Sequence, residues 1–147
     1  MENVFKTMSK VPMWARIVIV IVVGSCCWVA GWNIYQNDLA ASNFDAVTSD
    51  LIDLSARAQQ YYRHSVEMDG GGGSFTLLNI YHIAEPTAVM EGALRNENGS
   101  YTILKGGTKN SVTIQGIGYE DSDGDGTPCT AQVQVWKDSL SVTPINR

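Results

Sequence analysis

The order of apolar and polar residues divides the chain into three stretches with different periods. In the first, residues 17–32, no side chain is charged and no period is visible. These sixteen residues fall short of the ~20 that cross a hydrocarbon core. Met13, Trp14 and the residues 33–35 supply the difference, with the long stem of Arg16 carrying its guanidinium to the headgroups. Trp14 marks one end, while Trp28, Trp32 and Tyr35 cluster toward the other, as interfacial aromatic belts do. Pro12 suits the first turn of a helix. The pattern predicts a transmembrane helix over 13–35, behind a segment 1–12.

The second stretch has a helical period. Phe44, Val47, Leu51, Leu54, Ala58 and Tyr61 are spaced 3, 4, 3, 4, 3, with Asp45, Ser49, Asp53, Arg57 and Gln60 off that line. This is an amphipathic helix, predicted over 36–68. No proline interrupts the chain between Pro12 and Pro86. The two helices are therefore one, or two with a joint near 33–43. The stripe spans about two and a half heptads, short of the three to four that sustain a coiled coil, so it reads as a packing face.

Gly70, Gly71, Gly72 and Gly73, followed by Ser74, spell the repeat of an artificial flexible linker. Nothing beside it restarts a domain. A phosphate loop would open a helix and carry Lys-Ser/Thr. Here the run closes a helix, and glycine is the usual stop. The pattern predicts that the glycines end the helix and lead into a strand-like "SFTLLNIYHI" (74–83).

The third stretch alternates with period two. "GSYTILKGG" (99–107), "SVTIQGIGYE" (111–120) and "AQVQVWKDSLSVT" (131–143) are rich in Val, Ile, Thr, Tyr and Trp. Val112 and Ile114 alternate with Thr113 and Gln115, and Val133 and Val135 with Gln132 and Gln134. Asn98-Gly99 and Gly106-Gly107 are turn dipeptides. An antiparallel meander with one wet face follows, forming a β head over 69–147. Its other face needs cover, and the stripe from Phe44 to Tyr61 supplies it. The expected fold class is α+β: a long N-terminal helix packed on a three- to four-stranded antiparallel sheet, with 36–147 as one globular unit.

Charge adds orientation. The net charge is −5, yet Lys6, Lys10 and Arg16 face only Glu2 in the first sixteen residues, and acids outnumber bases from Asp38 onward. The positive-inside rule places 1–12 in the cytoplasm and the β head outside it. Two other readings of the apolar segment stay open. One is a cleaved signal with "VAG" (29–31) as its site; the other is a lipoprotein signal with "VGSC" (23–26) as a loose lipobox. An acidic head with no Lys/Arg run argues against nucleic acid as a partner.

Chemistry is sparse. Cys26 and Cys27 lie in the apolar run and Cys129 stands alone, which is neither a disulfide framework nor a zinc site. His64 and His82 are far apart, and Ser74, Ser111 and Ser139 lack a nucleophile elbow. No enzyme and no small-molecule substrate are expected. In "EDSDGDGTPC" (120–129), Asp121, Asp123, Asp125 and Gly126 match positions 1, 3, 5 and 6 of a calcium loop. Gln132 stands at position 12 in place of Glu, and no flanking helices are predicted, so this is not an EF-hand. Either Asp121, Asp123 and Asp125 hold calcium, or the segment is a solvated acidic turn.

"SARAQQYYR" (55–63) running into "GGGGSFTLL" (70–78), with the ending "VTIQGIGYEDSDGDGTPCTAQVQVWKDSLSV" (112–142), resembles type IV pilins and the pseudopilins of type II secretion. The likeness covers residues 37–142, about three quarters of the chain. It implies a non-enzymatic subunit of a cell-surface filament or secretion pseudopilus, inserted in the inner membrane and assembling with copies of itself or related subunits through its apolar helix. The front departs from that family. The Gly-Phe-x-x-x-x-Glu signal is missing, Gly24 is mid-span, and 17–32 contains no Glu. The alternative is a single-pass or lipid-anchored envelope protein whose β head binds calcium or a protein partner.

Overall fold

The computed structural model describes residues 12–121 and 126–146, the side chains of Asn37 and Pro86 excepted. Contacts within the chain divide it into Met1–Gln36 and Asn37–Arg147. A single helix, α1 (Met13–Arg63), runs unbroken through that boundary. Of the two arrangements the sequence allows, one helix or two, the structure has one.

Apart from the half-buried Ala15, residues 13–35 of α1 are exposed on every side, including Val20 at 70%, Ile21 at 63% and Trp28 at 76%. A helix that is apolar all round and uncovered by protein is at home in lipid. This part of α1 is long and apolar enough to cross a membrane.

From Asn37 the helix belongs to the head. Ala40, Val47, Leu51, Leu54, Ala58 and Tyr61 are buried, with Phe44 packed at the margin of the core. Five of the six stripe residues thus face inward, because positions three and four apart share one helix face. Ser55 is buried beside them and donates its hydroxyl to the Leu51 carbonyl at 2.6 Å.

The sheet has six strands in the order of the chain: β1 (Val89–Met90), β2 (Ala93–Arg95), β3 (Gly99–Leu104), β4 (Ser111–Gly118), β5 (Thr130–Trp136) and β6 (Leu140–Asn146), all antiparallel. Alternation sets the two faces. Tyr101, Val112, Ile114, Ala131, Val133 and Val135 point into the core, and Ile114 sits opposite Val133. The loop between α1 and β1 completes that core with Phe75, Leu78, Ile80 and Ile83.

Three expectations need correction. The sheet has six strands where three or four were expected. β1 and β2 are too short for a period of two to register. The stretch 131–143 folds into two strands, because Lys137, Asp138 and Ser139 form a turn closed by the Trp136 amide on the Ser139 carbonyl at 2.9 Å. "SFTLLNIYHI" is not a strand. Asn79 accepts the Tyr81 amide at 3.0 Å, and its own amide donates to His82 Nδ1 at 3.1 Å, which winds Ile80–His82 into a 3-10 turn.

Nor do the glycines sit at the helix stop. α1 ends at Arg63, and a 3-10 turn, Val66–Met68, comes first. The glycine string then folds back over the helix end. Gly71 donates to the Tyr61 carbonyl at 2.7 Å, Gly73 to Tyr62 at 2.9 Å and Gly72 to His64 at 2.9 Å. These are carbonyls that the end of a helix leaves without partners. A side chain at Gly71 would collide with the Ser74 carbonyl, and Gly73 sits at φ 86°, so the string is a fixed cap.

Candidate functional site

Two regions carry the chemistry expected from the sequence: the apolar segment of α1 and the acidic turn. Within the apolar segment the polar atoms are few. Ser25 donates its hydroxyl back to the Val22 carbonyl at 2.9 Å, which satisfies it within the helix. Trp32 and Tyr35 pair with ring centroids 6.4 Å apart. Cys26 and Cys27 are exposed on this surface as free thiols.

The acidic turn joins β4 to β5. Asp121 is exposed, and its Oδ2 accepts the Gly126 amide at 2.8 Å, so the ends of the turn are already tied together. Asp123 and Asp125 lie outside the described residues. Among the described residues no group of three or more His, Cys, Asp or Glu side chains is placed to hold a metal ion.

Below the turn, the Cys129 amide donates to the Glu120 carbonyl and the Gly118 amide to the Cys129 carbonyl, both at 2.8 Å. Cys129 is fully buried, and burial pushes its thiol pKa up. Its Sγ donates to Asn43 Oδ1 at 3.3 Å.

Asn43 is a polar residue on α1 that sequence reasoning missed. Its Oδ1 also accepts the Tyr119 amide at 3.1 Å and the Glu120 amide at 3.3 Å, and its Nδ2 donates to the Asn98 carbonyl at 2.9 Å. Another is Asp50. One carboxylate oxygen accepts Asn96 Nδ2 at 2.8 Å, Asn98 Nδ2 at 2.8 Å and the Tyr101 hydroxyl at 2.6 Å. Partial burial raises the Asp50 pKa, but the three hydrogen bonds, from Asn98, Tyr101 and Asn96, outweigh it and leave the carboxyl below its ordinary value. Burial, then the Asp50 carboxylate, pushes the Tyr101 hydroxyl far above the ordinary phenol range.

Asn43 and Asp50 are seven residues apart, on either side of Val47 along the packing face. A polar pair bordering an apolar stripe at helical spacing is the signal that could have found them.

The remaining candidates are occupied locally. The His82 ring packs tilted against Tyr61 with centroids 4.8 Å apart, and its Nε2 lies 3.9 Å from Asp69. His64 is exposed beyond the end of α1. The Ser74 hydroxyl pairs with Thr76 at 2.7 Å and that of Ser111 with Thr108 at 3.2 Å, while Ser139 closes the β5–β6 turn. The structure does not bring the two histidines and three serines into a common group. Compared with protein-family models, with curated proteins and with solved structures, the chain finds no match.

Proposed function

We propose that the chain is a non-enzymatic, pilin-like structural subunit. Its apolar helix inserts in the inner membrane with the N-terminus cytoplasmic, and it packs against copies of itself or related subunits in a cell-surface filament or pseudopilus. The observation that carries this reading is the continuity of α1, uncovered and apolar over 13–35 and then built into the head by one buried stripe. An exposed, apolar helix segment joined to a β head suits assembly by lateral helix packing, where apolar segments cover one another. Sheared extracellular fractions are the test. Filaments containing this protein are expected, and their absence under conditions of full expression sinks the filament reading.

One sequence feature favours a second reading, in which the head stays fixed to the membrane. The Gly-Phe-x-x-x-x-Glu signal that prepilin processing uses is missing. Mass spectrometry of the mature N-terminus separates the cases: an intact Met1 fits a permanent anchor, a diacylated Cys26 a lipoprotein, and a methylated internal residue a processed pilin. In this reading the turn at Asp121, Asp123 and Asp125 would bind calcium or a protein partner. A rise in melting temperature with calcium that Asp123→Ala abolishes is its expected sign.

A further inference from the structure

We propose that the head carries a binding site for a neutral saccharide in the cavity between the end of α1, the β3–β4 turn and the β5–β6 turn. The cavity holds about 430 Å³ and is lined by Tyr62, Asn110, Trp136, Lys137, Asp138 and Ser139. That volume lies within the ~300–1,000 Å³ of small-molecule clefts.

The lining combines two half-buried aromatic rings with an amide and a hydroxyl residue. A sugar ring has the same division: C–H faces that lie flat on an aromatic ring, and a rim of hydroxyls that need donors and acceptors. The two charged residues of the lining pair with each other, Lys137 Nζ to Asp138 Oδ2 at 3.6 Å. Asp138 also pairs with Arg63 at 3.7 Å, so the one carboxylate at the rim is engaged by cations and the aromatic, amide and hydroxyl groups are left to meet the ligand.

The walls are held in place without a ligand. Gln59 Nε2 donates to the carbonyls of Trp136 at 3.0 Å and Ser139 at 3.2 Å, and Arg63 to that of Lys137 at 3.3 Å. The Tyr62 ring rests on Phe75 with centroids 4.8 Å apart, and the Phe75 amide holds the β3–β4 turn through the Thr108 carbonyl at 3.1 Å. A preformed cavity binds at lower ordering cost.

A second, independent observation points to the same ligand class. β3, β4, β5 and β6 contain no charged residue. A solvated sheet face ordinarily carries charges of both signs. Here the outer face is mostly hydroxyl and amide residues, with Leu104, Ile117 and Ile145 among them. Thr102, Gln115, Gln132 and Thr143 form one row across four strands, and Leu104, Thr113, Gln134 and Ser141 the next. Trp136 follows Gln134 by two residues on β5, so these rows lead toward the cavity. A chain of neutral sugars seated on Trp136 would continue over groups that match its hydroxyls.

The test uses the full chain in a detergent without a sugar headgroup, titrated with cellobiose and N,N′-diacetylchitobiose and, as controls, with sialyllactose and a fatty acid. Binding of a neutral disaccharide in the millimolar range or tighter is expected. Trp136→Ala should weaken it at least ~tenfold, as loss of a central aromatic anchor does, and Trp136→Tyr should restore most of it. Asn110→Trp, in an exposed turn, should fill the cavity and abolish binding with the melting temperature unchanged, so that a misfolded Trp136→Ala cannot decide the matter. The proposal is overturned if neither neutral disaccharide binds, if only sialyllactose or the fatty acid binds, or if both Trp136→Ala and Asn110→Trp bind like the parent. The site does not depend on filament assembly, and a head that binds saccharide without forming filaments would leave it standing.

Discussion

The two halves of α1 have the same backbone and opposite relations to their surroundings. Over 13–35 apolar residues occupy all sides of the helix and nearly all are exposed; from Asn37 the large ones other than Leu39 and Ile52 keep to one stripe, and nearly all of that stripe is buried. Burial here is a property of pattern and not of hydrophobicity as such. A stripe specifies a unique protein partner, whereas a helix greasy all round specifies only a medium. The second half also carries polar residues that name distant partners, Asn43 and Asp50.

Matched substitutions break or sharpen that contrast. The largest effect is expected from a carboxylate placed at the centre of each half. Val47→Asp puts an unpaired charge in a fully buried position and should cost the head about 4 kcal/mol or more in chemical denaturation, leaving membrane partition unchanged. Val20→Asp should do the reverse: an insertion cost of about 3 kcal/mol, read by fractionation, with the melting of the head untouched. If either substitution moves both readouts, the halves are not independent.

Next comes Asp50→Ala, expected to destabilise the head by about 2–3 kcal/mol because the buried Tyr101 hydroxyl and two amides lose their acceptor. The same carboxylate predicts a pH dependence. Its folded pKa is depressed, so its contribution is fully present above the unfolded value of ~3.9 and is lost as pH falls through the folded pKa. Urea midpoints measured from pH 6 downward should fall below ~pH 4 more steeply for the parent than for Asp50→Ala.

Smaller still is Gly71→Ala, whose methyl would meet the Ser74 carbonyl and stand 2.8 Å from the Tyr61 ring; a loss of about 1–3 kcal/mol in head stability is expected. Its counterpart, Gly31→Ala, meets nothing within 4 Å and should be neutral or slightly stabilising to the helix. Loss of filaments in Gly31→Ala with normal membrane insertion would instead mark Gly31 as a point where copies of the helix touch.

What the sequence made legible was whatever repeats. The stripe from Val47 to Tyr61 and the alternation around Val112 and Val133 were readable because several residues vote for one period. Single residues acting over distance were not. Asp50 finds its partners 46 to 51 positions away, and nothing local reveals them. The turn at Lys137, Asp138 and Ser139 was hidden because residues 131–143 carry strand formers on both sides of it. Local capping by Asn79 overrode the β-propensity of 74–83 for the same reason: one well-placed hydrogen-bonding side chain outweighs a weak average preference. Of the acidic turn the spacing was legible, and Asp121 is seen bound to the Gly126 amide, while Asp123 and Asp125 fall outside the described residues.

The polar anchors have a mechanical consequence. Asn43, Asp50, Gln59 and Arg63 fasten α1 to turns of the head at four levels along its length. A pull along the helix axis loads these attachments together, in shear, and they share the force. A peeling pull, lifting the helix from one end, would load them one at a time. The head is thus wired to resist tension delivered along α1 far better than the strength of any one hydrogen bond suggests.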